Sequence, residues 1–173
     1  MLRPASDTDL ASLRSWRNQE ANRAVSTNQQ EITAEEHARW WAAVKDDPSR
    51  QVLVFEQDGR GLGVVTFFDI DLDEKSAGWG FYLDHETTTA EGIAMMAWIQ
   101  VMKDATAYAF DTLGVDLLTG EVNEDNEAVR TMNRRFRFTE GEPRTLEDGR
   151  VFYPISLRRE DRRPTRKTTG SKQ

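Results

Sequence analysis

Cysteine is absent from the chain, and histidine occurs only twice, at His37 and His85. The first absence excludes disulfides, thiolate zinc sites and a cysteine nucleophile. The second leaves too few imidazoles for a histidine-built metal centre. No apolar stretch approaches the roughly 20 residues that a membrane helix needs. The opening MLRPASDTDL lacks the basic-then-apolar order of a signal peptide. The chain therefore reads as a cytoplasmic protein without a metal and without a membrane role. Its 173 residues suffice for one domain with one sizeable core.

Charge is unevenly spread. The net charge of −7 hides a C-terminal segment, residues 158–173, in which seven Lys/Arg outweigh Glu160 and Asp161, so the tail carries +5 and the body −12. An acidic body argues against nucleic acid as the partner. Through long-range attraction it favours a cationic or amine-bearing substrate. The tail has no apolar periodicity and reads as disordered, or as an arm for an acidic partner.

The apolar pattern orders the rest. MLRPAS is a short extended start. SDTDLASLRSWRNQ reads as a helix capped by Ser6 or Asp7, with Leu10, Leu13 and Trp16 or Arg17 at helical spacing. TAEEHARWWAAVKDD is a second helix that Pro48 ends; Thr33 and Glu36 form a capping box, and His37, Trp40, Trp41 and Val44 make an i, i+3, i+4, i+7 stripe. QVLVFE, LGVVTFFDI and SAGWGFYLD are three strands, the first two joined at Asp58-Gly59.

HETTTAEGIAMMAWIQ follows: small residues lead into an apolar run, as in loops that cradle a phosphate at a helix start. A long helix is expected over residues 92–112, with Ile93, Met96, Ile99, Met102 and Phe110 apolar and Gly114 as its stop. VDLLTGEV is a strand and NEAVRTMNRRF a helix with Asn126 as cap. FRFTEGE and RVFYPISL are strands joined through Glu147-Asp148-Gly149. The order is strand, two helices, three-strand meander, helix, strand, helix, two strands, which is α+β in a single domain. Asp69, Asp71 and Asp73 alternate along a strand end without the glycine and glutamate of a calcium loop, and read as solvated.

Four stretches make this chain resemble the GNAT superfamily of N-acyltransferases. They are LRPASDTDLASLRSWRN, the pair GVVTFFDID and AGWGFYLD, the loop TAEGIA against the signature Q/R-x-x-G-x-G/A, and EVNEDNEAVRTMNRRFRF. The resemblance implies a curved mixed β-sheet flanked by helices over residues 1–157, with 158–173 as tail. WRN, ITAEEHARWW and DDPSR further resemble two branches. One acetylates the 4-amino group of nucleotide-linked amino sugars, as in the pseudaminic-acid pathway; the other is the ribosomal-protein N-terminal branch.

The resemblance implies acetyl-CoA, or a related acyl thioester, as co-substrate and a small-molecule amine as acceptor, in a monomer or homodimer. Such chemistry needs N–H groups for a pyrophosphate, a strand edge for the pantetheine arm, a base for the amine and a donor for the oxyanion. By the resemblance, Phe81, Tyr82 and Leu83 supply the edge. Thr89, Ala90, Glu91, Gly92, Ile93 and Ala94 form the anion nest, and Asn126 bonds the arm. Glu121 is the general base, provided partial burial raises its pKa.

Several positions depart from the family pattern. Thr89 stands for Gln or Arg, and Glu91, repulsive to a pyrophosphate, for Lys or Arg. Four extra residues lie in or before the long helix, amounting either to one added turn or to a rebuilt loop. Asn133 takes the place of the tyrosine general acid: it can donate to a thiolate but not protonate it. Water, Tyr82, Tyr108 or Tyr153 would then supply the proton. Arg137 replaces the glycine before Phe138.

His37 is a catalytic candidate if its helix borders the acceptor pocket, and otherwise a packed histidine. Trp40 and Trp41 either line that pocket or only pack. Arg17 and Asn18 either bind a substrate carboxylate or phosphate or pair with the acids of the following loop. Two alternatives stand beside CoA-dependent acyltransfer. One is an acyltransferase whose donor is an acyl carrier protein, met by the basic tail; the other is a catalytically degenerate GNAT fold that only binds.

Overall fold

The computed structural model of the chain describes residues 1–163. Strand β1 (Leu2–Pro4) leads through a 3-10 turn (Asp7–Asp9) to α1 (Leu10–Asn18), a short α2 (Glu20–Ala24) and α3 (Ala34–Val44). A meander follows, of β2 (Gln51–Gln57), β3 (Arg60–Asp71) and β4 (Ser76–Leu83). Then come α4 (His85–Ala90), α5 (Ala94–Ala107), β5 (Leu117–Asn123) and α6 (Glu127–Arg135). The chain closes with β6 (Thr139–Glu140), β7 (Arg144–Thr145) and β8 (Val151–Arg158). The strands form one sheet in the order β1-β2-β3-β4-β5-β8-β6, with β7 also on β8. All pairs are antiparallel except β4 with β5. This is the expected α+β architecture, a mixed sheet flanked by helices.

Both faces of the sheet are covered, which explains why its strands read as nearly continuous apolar runs. Successive side chains point to opposite faces. Leu53, Phe55, Val65 and Phe67 meet α5 on one face, packed with Val101, Met102 and Ala105. Val52, Val54 and Val64 meet α1 and α3 on the other, through Leu13, Trp16, Trp41 and Val44.

Local signals account for most boundaries. Asp58 and Gly59 both take positive φ, 52° and 75°, as a two-residue primed turn requires. The Thr33–Glu36 capping box closes reciprocally, at 2.8 and 3.2 Å. Gly114 stops its helix in the left-handed region at φ 79°.

The structure differs from the sequence pattern in four places. Residues 85–90 are helical where a loop was expected, and the following helix ends in a π-helical turn, Tyr108–Leu113. The small residues Thr87, Thr88 and Thr89 thus wind into a turn of their own, for which Asp84 accepts the Thr87 N–H at 3.1 Å. α2, five residues long, was not anticipated. The strand read in FRFTEGE shrinks to Thr139–Glu140.

The boundary placed at 157 also moves. Arg158 belongs to β8, and a 3-10 turn (Arg159–Asp161) follows. Arg159 bonds Asp116 and the Val115 carbonyl at 2.7 Å each, and Arg162 pairs with Asp111 at 2.8 Å. These arginines bind the acidic body instead of extending from it. Residues 164–173 of the expected tail lie outside the described residues. Among the described residues no helix is long and apolar enough to cross a membrane.

Candidate active site

β4 and β5 run parallel only from Ser76 to Gly78 against Leu117 to Thr119. Beyond that point the two edges part. A cleft of about 390 Å³ opens between them, bounded at its ends by α2, α5 and α6.

Strand register decides which backbone groups face this opening. The Asp84 N–H bonds the Leu62 carbonyl at 2.8 Å, so even-numbered β4 residues turn their polar groups toward β3. Phe81, an odd one, turns its N–H and C=O toward the cleft. The Leu83 carbonyl is taken by Asn22 Nδ2 at 2.8 Å. Phe81, Tyr82 and Leu83 all line the cleft. The Tyr82 backbone, however, is spent on β3, which corrects the expectation that all three offer theirs.

Glu121 lines the cleft from β5, two residues past the last paired position. Arg144 on β7 grips its carboxylate with both arms, Nε to Oε1 at 2.7 Å and Nη2 to Oε2 at 2.6 Å. The Arg144 hydrogen bonds hold the Glu121 carboxyl below its usual range, outweighing the upward push of partial burial. The expectation that burial raises this group is therefore corrected. Glu121 stays ionised at neutral pH, able to accept a proton, with its basicity reduced.

The α5–α6 side of the cleft holds Asn126, Val129 and Asn133 from α6 and Trp98 from α5. Asn126 caps its helix, Oδ1 accepting the Val129 N–H at 3.3 Å. Asn133 is 1% exposed, and its Nδ2 has no hydrogen-bond partner among the described residues. The indole N–H groups of Trp79 and Trp98, both on the cleft wall, are likewise unpartnered.

None of the three tyrosines offers the cleft a hydroxyl. The buried Tyr82 OH donates to the Leu13 carbonyl at 3.2 Å, and burial pushes it well above the usual phenol range. Tyr108 stacks on Phe67 at 5.7 Å. The Tyr153 OH lies 3.5 Å from Glu124, its ring under Arg130 at 4.1 Å.

The expected anion nest is altered. Thr89 and Ala90 close α4, and the N–H groups of Glu91, Gly92 and Ile93 bond back to the carbonyls of Thr87, Thr89 and Thr88 at 2.9–3.0 Å. They are not free to cradle an anion; the unpaired donors start at Ala94, in the first turn of α5. Glu91 is paired with a cation: Arg60 holds both its oxygens, at 2.8 and 2.7 Å.

The remaining candidates lie away from the cleft. His37 is buried on α3 against Trp40, ring centroids 5.0 Å apart; burial, and then Arg14, lowers its pKa. Trp41 donates Nε1–H to Asp7 at 2.6 Å, and Trp40 packs on the same core. The α3 stripe faces α1 and the sheet, so these three residues pack there. Asn18 exchanges two 2.8 Å bonds with the Ile32 backbone, and Arg17 Nη2 donates to the Asn28 carbonyl at 2.6 Å. Both staple the α2–α3 loop through its backbone, not its acids. His85, expected in a loop, starts α4 and lines the cleft.

Arg144, Trp79, Trp98 and Asn22 were missed. Nothing in EGEPRTLED marks Arg144, which a distant strand brings to Glu121. Trp79 carried a usable signal, a large indole between two glycines in AGWGF.

Residues 1–139 match the acetyltransferase (GNAT) domain family. Two proteins called Acetyltransferase PseH, from two strains of Campylobacter jejuni subsp. jejuni, are similar to the chain. One is 26% identical over 147 residues, 84% of this chain and 83% of the relative. The other is 25% identical over 144 residues, 83% and 82%. Among solved structures, spermidine N-acetyltransferase from Vibrio cholerae in complex with CoA and spermine superposes with a TM-score of 0.79 at 15% identity, covering 93% of this chain and 96% of that one. A chimera of that enzyme, SpeG, and hSSAT gives 0.77 at 16% identity, covering 92% and 96%. At these identities the solved structures speak to the fold alone.

Proposed function

The chain belongs to the acetyltransferase (GNAT) domain family, and on that premise we propose that it moves an acetyl or other acyl group from a CoA-type thioester to the amine of a small molecule in the β4–β5 cleft. One observation carries the reading: β4 and β5 pair for three residues and then part, leaving the Phe81 N–H and C=O on an open edge. An extended pantetheine arm is a chain of amides and can bond that edge as an added strand does. The donor lies toward α5 and α6, beside Asn126 and Asn133. The amine arrives from the α2 side, beside Asn22, Ser26 and Glu121. The catalytic domain of this reading extends through the 3-10 turn at Arg159–Asp161.

In the proposed reaction the amine nitrogen attacks the thioester carbonyl. The oxyanion is held by edge N–H groups. The C–S bond then breaks with its electron pair on sulfur, and the amine's proton passes to Glu121, directly or through water. Arg144 keeps that carboxylate charged, which suits a water relay better than strong proton abstraction.

An amino sugar suits the acceptor half better than a polyamine. The polar side chains there are the amides of Asn22 and Asn123, the Ser26 hydroxyl and His85, and the one carboxylate lining the cleft is already neutralised by Arg144. A polycation needs unpaired carboxylates. The two PseH relatives point the same way, as does the resemblance to enzymes acetylating nucleotide-linked amino sugars.

A second reading of the donor rests on the altered nest. With the Glu91, Gly92 and Ile93 N–H groups consumed, the pyrophosphate of CoA is left with the first-turn donors of α5 from Ala94 onward. A carrier-protein donor has no such group. Calorimetry of acetyl-CoA beside phosphopantetheine separates the two. Much tighter binding of whole CoA supports the first reading; equal binding moves the donor to a carrier protein. Binding of neither ends the acyltransfer reading.

A further inference from the structure

We infer that Asn133 and Trp79 form a two-donor socket for the departing thiolate, which leaves as the anion with no acid to protonate it. This rests on the acyltransfer reading above. Two buried, unpaired N–H donors carry it. Asn133 is 1% exposed and Trp79 5%, and neither Nδ2 nor Nε1 has a partner among the described residues. Buried donors are nearly always bonded, so such exceptions ask for a ligand.

The two share one end of the cleft. Trp79 stacks on Phe138 at 5.6 Å, and the Phe138 N–H bonds the Asn133 carbonyl at 2.9 Å. Trp79 also stands one residue past the last β4–β5 pair, level with the start of the splay where Glu121 enters.

Among the described residues, proton donors are missing from that end. The tyrosine hydroxyls point elsewhere, and His85 lines the far mouth: Leu83 alone is four residues along the strand from Trp79, about 13 Å. Indole and amide N–H groups donate but do not ionise near neutral pH.

The step balances without an acid. As the tetrahedral intermediate collapses, the carbonyl re-forms and the C–S bond breaks, with its electron pair moving to sulfur. The amine's proton has gone to Glu121 or water. The thiolate, bonded by two N–H groups, takes its proton from solvent after leaving. Hydrogen bonds to the charged form favour it, so the socket's signature is a bound thiol that ionises more readily than the free one.

The test titrates the thiol of bound phosphopantetheine, common to both donor readings, by its thiolate ultraviolet absorbance. The expected midpoint for the unmodified protein lies at least about one pH unit below the free thiol, a tenfold shift in the thiolate ratio. Trp79→Phe, which keeps the ring, and Asn133→Leu should each return it part of the way. Each should also lower kcat by about 100-fold, the scale of losing one oxyanion-hole donor. Asn133→Ala replaces Asn133→Leu if the latter fails to fold. Trp40→Phe, on α3 and away from the cleft, should leave the midpoint unmoved. A midpoint unchanged in Trp79→Phe and Asn133→Leu, or moved equally by Trp40→Phe, overturns the socket. Failure of phosphopantetheine to bind at all overturns the acyltransfer reading with it.

Discussion

Arg144 holds both carboxylate oxygens of Glu121, at 2.7 and 2.6 Å, across 23 positions of sequence. Glu121 lines the cleft and is 39% exposed, and Arg144 behind it is half exposed, so water reaches the pair. A carboxylate held this way is charged at neutral pH but a weaker base than a free one.

Glu121→Gln should lower turnover by about 100-fold, the lower end for removing a general base. The melting temperature should stay within a few degrees, because exposed pairs add little stability. In Arg144→Leu the carboxyl rises toward its ordinary value of 4.5, so the acid limb of the kcat/KM profile should move to higher pH. Superimposable profiles for the two proteins would remove Glu121 from the proton pathway.

Glu91 neutralises Arg60 at the foot of the expected donor site. Glu91→Gln frees that guanidinium, so acetyl-CoA should bind about two- to fivefold tighter, the scale of one exposed charge. The gain should fade as salt is raised. Calorimetry at two ionic strengths checks it, and an unchanged dissociation constant would place the pyrophosphate elsewhere.

Arg150 reaches from the β7–β8 turn to the carbonyls of Ser26 and Thr27, at 2.9 and 2.7 Å. It thereby fixes the loop that walls the acceptor half. Arg150→Met should raise KM for the amine roughly tenfold, the cost of a hydrogen bond to a charged group. KM for the thioester should not change. Equal rises in both would show that the loop serves the whole cleft.

His37 is buried, and its pKa lies below its ordinary 6.5. The folded state then binds fewer protons than the unfolded one once pH falls below that value. The contribution of His37 to stability is full above about pH 6.5 and is lost as pH drops through the folded-state value. His37→Gln should flatten the decline of melting temperature between about pH 7 and 5. If the mutant declines as steeply as the parent, other groups set the acid stability.

Much of this protein could be read from neighbouring residues alone. The short apolar runs of QVLVFE and GVVTFFDI, the Asp58-Gly59 turn, the Thr33–Glu36 box, the Asn126 cap and the Gly114 stop are each local. Backbone sterics and hydrogen bonds within a few residues enforce them. The strand–helix order that follows from them, together with four local stretches such as TAEGIA and EVNEDNEAVRTMNRRFRF, carried the resemblance to the family.

Folding alone settled the chemistry of the cleft. Arg60 reaches Glu91 across 31 positions, and Arg144 reaches Glu121 across 23, so neither charge could be judged from its own segment. The α3 stripe was legible as an apolar face, yet which surface it met depended on α1. Six-residue α4 is too short to hold without tertiary support, so TTTA looked like a loop until Asp84 and Gln19 capped it. Charge pairing and the facing of an element depend on distance in space, and chain order does not carry that distance.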